Sequence, residues 1–205
     1  KHVDDFASSV PDEWMEHGGL MLPMYQSEAM WINFSSGYDY ECGVEYPFAV
    51  KIATGKVNAV TGKQWTNNLN DDPQDYLVVP EQPWLDGYCV EKGVIRQFVA
   101  MPLGSGYSAE EQATGKAEHG GLQIMACPMK REVYERRFPK REREVGPLDV
   151  QYFIAPPAPG VLKEAGMGLS PGGRMKQEIC DDPYRLKDWR TDAGSRCFVH
   201  IANSF

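Results

Sequence analysis

"EHGGLQIMACPM", residues Glu118–Met129, repeats the form of an earlier stretch, "EHGGLMLPM", residues Glu16–Met24. A duplicated half-domain would require the likeness to continue past the shared block. It stops there: "YQSEAMWINF" follows one copy and "KREVYERRF" the other, one largely apolar and one highly charged. The copies share a polar pair, two glycines and an apolar run that ends in Pro-Met. Paired glycines open backbone angles closed to other residues and suit a bend or bulge that feeds a strand. The repeat therefore reads as one strand-entry device used twice. An ancient duplication and a site built from His17 and His119 are the alternatives.

Outside the repeat, 20 glycines and 15 prolines leave only short segments between breaks, the pattern of a mainly β domain. Candidate strands are "PFAVKIAT", "DYLVVP", "GVIRQFVAMP", "GLQIMACPM", "VQYFIAP", "RMKQEI" and "RCFVHIAN". Asp86-Gly87 in "WLDGYC" predicts a hairpin turn, and Gly62 and Gly93 mark further turns. "MYQSEAMWINF" fits both strand alternation and helical spacing and is assigned to strand. Ser108, with Glu111 three residues later, forms a capping box that predicts a short helix from Ala109 to Thr114, stopped by Gly115. A second helix is predicted from Lys130 to Phe138, ended by Pro139. "APPAPGVLKEAGMGLSPGG" reads as a long loop. No linker divides the chain, so residues 1–205 are expected to form one domain. Its expected class is mainly β, α+β at most: a two-layer β-sandwich or irregular β-barrel with a few short helices.

Charge and composition exclude several classes. A formal net charge of −8 argues against nucleic acid, because phosphate binding needs clustered Lys and Arg. The stretch Lys130–Glu144 runs the other way, with seven basic and four acidic residues, and reads as a solvated helix face. No run approaches the ~18 apolar residues of a membrane helix, so no membrane partner is expected. Cys42, Cys89, Cys127, Cys180 and Cys197 are odd in number, widely spaced and without a C-x-x-C pair. Free thiols in a reducing compartment, the cytoplasm, are the simpler inference.

Motif by motif, most chemistries fail. Gly168-Leu169-Ser170-Pro171-Gly172 matches the serine-hydrolase elbow, but Pro171 lacks the N–H that must face the oxyanion. Asn67–Asp75, "NNLNDDPQD", gathers oxygen ligands, yet an EF-hand register puts Pro73 where glycine is required and Val79 where the bidentate glutamate belongs. It reads as an Asx-rich turn. No phosphate-binding glycine loop and no H-E-x-x-H is present, and four histidines, His2, His17, His119 and His200, are too few for an obvious metal site. No cofactor and no metal is expected.

Polar residues inside apolar strands are the stronger signal. Arg96 shares a face with Val94 and Phe98, and Gln97 shares the other with Ile95 and Val99. Gln177 lies between Met175 and Ile179, His200 between Phe198 and Ala202, and Lys51 interrupts "FAVKIA". Burying such groups costs roughly 1–3 kcal/mol each unless they are paired. They read either as a satisfied structural network or as the lining of a pocket, with Lys51 or Arg96 as cation and Gln97, Gln177 and His200 orienting the ligand. Trp84, beside Pro83, is placed for stacking on a sugar or ring.

The stretch from Asp75 to Ile124 resembles a family of uncharacterised microbial proteins that share close variants of "PEQPWLDG", "RQFVAMPLG", "EEQxTG" and "AEHGG". The likeness runs from "LPMYQSEAMW" to "RCFVHIAN". The resemblance implies a whole, non-secreted domain and carries over no catalytic residue. The functional expectation is a binding or structural module: a polar-lined pocket for a small anionic or sugar-like ligand, or a self-associating domain. The alternative is a hydrolase- or lyase-type enzyme with His119 or His200 as general base near Asp86 or Glu118, and Arg96 as anion clamp.

Overall fold

The structure is a computed structural model and describes residues 1–116, 118–140 and 174–203. Its main sheet has the order β1 (Leu20–Met24), β14 (Ser195–Asn203), β12 (Leu122–Pro128), β6 (Phe48–Thr54) and β7 (Val57–Asn58), with β8 (Leu77–Val79) also paired to β6. β1 runs parallel to β14, and the other ladders are antiparallel. A second sheet joins β10 (Gly87–Glu91), β11 (Val94–Val99) and β13 (Arg174–Lys176), with β2 (Ala29–Met30) pairing the end of β11. Two small ribbons, β3 (Ile32–Asn33) with β9 (Trp84–Leu85) and β4 (Tyr38–Asp39) with β5 (Val44–Glu45), complete the strands among the described residues.

Strand alternation divides the core in two. Val50, Ile52, Leu77 and Leu122 send their side chains to one face of the main sheet, where they meet Leu85 and Phe98 from the second layer. Ala49, Tyr76, Val78, Met125 and Cys127 face the other side, against Trp189 and Val133 and Tyr134 of α3 (Arg131–Arg137). Ile52, Leu77 and Leu85 are fully buried, each worth about 1.5–3 kcal/mol in apolar transfer. The fold is thus mainly β and sandwich-like, and among the described residues no sheet closes into a barrel.

Several local expectations hold. α2 spans Ala109–Thr114 with both halves of the Ser108–Glu111 capping box formed and Gly115 left-handed at φ 74°. α3 falls inside its predicted span, and "MYQSEAMWINF" contains β2 and β3. Two expectations are overturned. Asp86-Gly87 is no hairpin turn; it passes the chain from β9, paired with β3, into β10, paired with β11. Gly87 is needed there because a Cβ would sit 1.8 Å from Arg96 O. The hairpin turns instead at Lys92-Gly93, with Gly93 at φ 74°. Arg96 is exposed, although it keeps its alternation beside the buried Phe98. A long, flexible stem carries its charged head from an apolar neighbourhood into water. The predicted strand "VQYFIAP", the long loop and the elbow-like Gly168–Gly172 lie outside the described residues.

Candidate functional site: a histidine cleft

The two copies of the repeat meet at one residue. Leu20 and Leu122, each the first residue after its glycine pair, both register with Val199 of β14, from opposite sides and running in opposite directions. Gly19 (φ 99°) and Gly121 (φ 61°) adopt backbone angles that favour glycine. They also press against β14: a Cβ on Gly19 would lie 2.3 Å from Phe198 O, and one on Gly121 2.6 Å from Val199 O. Each copy therefore is a strand-entry device, and the shared pairing partner brings both histidines to one place.

α1 (Asp12–His17) closes the other side of a small cleft, roughly 160 Å³, lined by Trp14, His17, Lys56, His119, Gln123, Arg196, Phe198 and His200 among others. His200 stacks on Trp14 with ring centroids 4.7 Å apart, and His17 packs edge-on to Phe198 at 5.2 Å and to His119 at 6.5 Å. His200 Nε2 lies 3.0 Å from Gly18 O and His17 Nδ1 2.9 Å from Glu13 O. A carbonyl only accepts, so these nitrogens donate, which assigns the tautomers and leaves His17 Nε2 and His200 Nδ1 for other partners. His119 Nε2 is buried with no hydrogen-bond partner. Its turn is held by buried Glu110 of α2, whose carboxylate accepts the backbone N–H of His119 and of Gly120 at 3.1 and 2.9 Å.

The cations of the cleft are Lys56 and Arg196. Arg196 donates through Nη2 to Gln123 Oε1 at 2.6 Å, and Gln123 donates to Gly55 O, so a buried amide fixes the guanidinium. The guanidinium lies over Phe198 and Trp65 at 5.2 and 5.1 Å. Glu13 is the carboxylate on the cleft wall. Glu118 at the margin accepts from Lys116, which holds its carboxyl below the ordinary carboxylate range, and its Oε2 stays 4.0 Å from His119 Nε2.

Of the residues singled out from the sequence, His119 and His200 fall in the cleft, with Glu118 beside it. The others are elsewhere. Lys51, 1% exposed, donates to Asp75 Oδ2, Asn68 O and Thr66 Oγ1 at 2.6–3.0 Å, so all three of its hydrogens are used. It pins the Asx-rich loop, and the larger cavity of about 360 Å³ beside that loop has this satisfied cluster as its wall. Gln177 accepts Asp86 N–H and donates to Trp84 O. Trp84 and Asp86 lie with it near the β9–β10 bend, while Arg96 and Gln97 lie on β11. Trp14, Lys56, Gln123 and Arg196 are not among the sequence candidates, and His17 enters there only through the two-histidine alternative for the repeat. The repeat was the signal for His17, and only the shared register with Val199 reveals its meaning.

Among the described residues no group of three His, Cys, Asp or Glu is placed to hold a metal ion, and no helix is long and apolar enough to cross a membrane. No protein-family model, no curated protein and no solved structure matches the chain.

Proposed function

We propose that this chain is a binding domain whose ligand is a small anion held in the histidine cleft. The observation that carries it is the state of Arg196: a guanidinium fixed by a buried amide and two rings, with no carboxylate in ion-pair range among the described residues. A planar fork held in place and lacking an anionic partner is suited to carboxylate or phosphate oxygens. Lys56 adds a second positive charge, and the free nitrogens of His17, His119 and His200 supply further hydrogen-bonding positions. The cleft is thus locally cationic in a chain of net charge −8. A general-base enzyme is the weaker reading, because a 4.0 Å separation leaves Glu118 outside hydrogen-bond reach of His119.

The test is a thermal-shift screen with phosphate, sulfate, citrate and malonate on the wild type and on Arg196→Met. The expected result is stabilisation of the wild type by at least one anion, absent in the variant. Loss of the ligand-free melting temperature in Arg196→Met, with no anion stabilising the wild type, would make Arg196 a packing residue.

A further inference from the structure

We propose a second site, distinct from the cleft: the outer face of the β3–β9 ribbon is a stacking platform for the pyranose rings of a neutral oligosaccharide. The register Ile32↔Leu85 and Asn33↔Trp84 assigns the two faces. Leu85 is fully buried and Ile32 packs beside it in the core, so Asn33 and Trp84 point outward. Trp31 precedes Ile32 and Asp86 follows Leu85, so alternation sends both to that same outer side. Trp31 is 66% exposed and Trp84 46%. Two indoles this open, one on the ribbon and one directly before it, are only partly used for packing among the described residues.

The fold also holds Trp84 unusually firmly. Its Nε1 donates to Asp86 Oδ2 at 3.0 Å. Its carbonyl accepts from two glutamines, Gln82 Nε2 at 2.9 Å and Gln177 Nε2 at 3.1 Å, which are themselves 3% and 8% exposed. Gln177 Oε1 takes the N–H of Asp86 at 3.0 Å, so the backbone is clamped on both sides of Leu85, directly after the indole. Buried carboxamides are costly unless fully bonded, and here they rigidify a side chain that faces water. A ring already fixed in place loses little entropy on binding.

The chemistry of the face selects the occupant. Asp86 is the one charged residue among Trp31, Asn33, Trp84 and Asp86, which disfavours an anion. Two copies of this chain packed face to face would desolvate Asp86 with no cation among these four residues to match it, an unfavourable arrangement. A pyranose presents apolar C–H groups to the negative face of an indole and hydroxyls at its rim. Those hydroxyls can donate to the Asp86 carboxylate and pair with the Asn33 amide.

The experiment is isothermal titration calorimetry with cellohexaose, xylohexaose and mannohexaose on the wild type, Trp31→Ala, Trp84→Ala and Tyr107→Ala, alongside sedimentation of the ligand-free proteins. Saturable binding of at least one hexasaccharide, weakened about tenfold or more in each tryptophan variant and unchanged in Tyr107→Ala, is the expected result. Trp31→Ala keeps the test sound if Trp84→Ala perturbs the bend. No binding of any of the three sugars, binding indifferent to both tryptophans, or a wild-type dimer lost in Trp31→Ala would each overturn the proposal.

Discussion

Lys51 and Arg196 lie over the same indole, that of Trp65, at 5.2 and 5.1 Å, on one face of the main sheet. Their other surroundings differ. Lys51 is buried and spends its three hydrogens on a carboxylate, a carbonyl and a hydroxyl of the Asx-rich loop. Arg196 is exposed and bonded to a neutral amide, with three histidines in the same cleft and a buried imidazole nitrogen, His119 Nε2, without a hydrogen-bond partner. The contrast separates frame from site. A buried charge whose bonds are complete holds a loop in place, whereas a fixed charge with bonding capacity left over can take a ligand.

The largest effect expected from this contrast is at Lys51. Lys51→Met leaves the Asp75 carboxylate, 12% exposed at its side chain, without its cation. The expected loss is roughly 3–5 kcal/mol in urea unfolding. Lys51→Met combined with Asp75→Asn should recover much of it, as a double-mutant cycle would measure. Equal losses in the single and double variants would mean the ion pair does not hold the loop.

Next in size is the frame beneath the cleft. Gly19→Ala puts a Cβ 2.3 Å from Phe198 O at φ 99° and should destabilise by at least about 1–3 kcal/mol in the same assay. Gly62→Ala, also at positive φ but with open space around it, should cost less. Equal effects would show that the backbone angle alone matters and the approach to β14 does not.

The smallest stability effect belongs to exposed cations. Arg96→Met should change unfolding free energy by no more than about 0.5 kcal/mol and leave anion binding intact. A loss above that range, or loss of anion binding, would return Arg96 to the buried role that alternation suggested.

Much of the architecture was legible in the chain. The capping box at Ser108 and Glu111, the stop at Gly115 and the apolar strands Phe48–Thr54, Val94–Val99, Leu122–Pro128 and Ser195–Asn203 are local signals, and each appears where its chemistry placed it. Asp86-Gly87 misled because the dipeptide is also useful where a chain changes sheets, and the clash that demands Gly87 involves Arg96 O, a partner strand's atom. The polar residues of the strands were visible, but their state was not. Whether Lys51 is satisfied depends on Thr66, Asn68 and Asp75, and no periodicity reports such a pairing. The cleft was half visible: the repeated His-Gly-Gly drew notice, and the pairing of both following strands with Val199 is a long-range fact.

Anion binding in the histidine cleft is read out by following the imidazole ring nitrogens in long-range ¹H–¹⁵N NMR spectra while phosphate is titrated at constant ionic strength. His17, His119 and His200 line the cleft, and His2, exposed and not part of that lining, is the internal control. Anion binding in the cleft requires the three cleft histidines to shift together along one saturable curve while His2 stays still. Four histidines drifting in parallel without saturation, or no shift at His119 and His200, would contradict it.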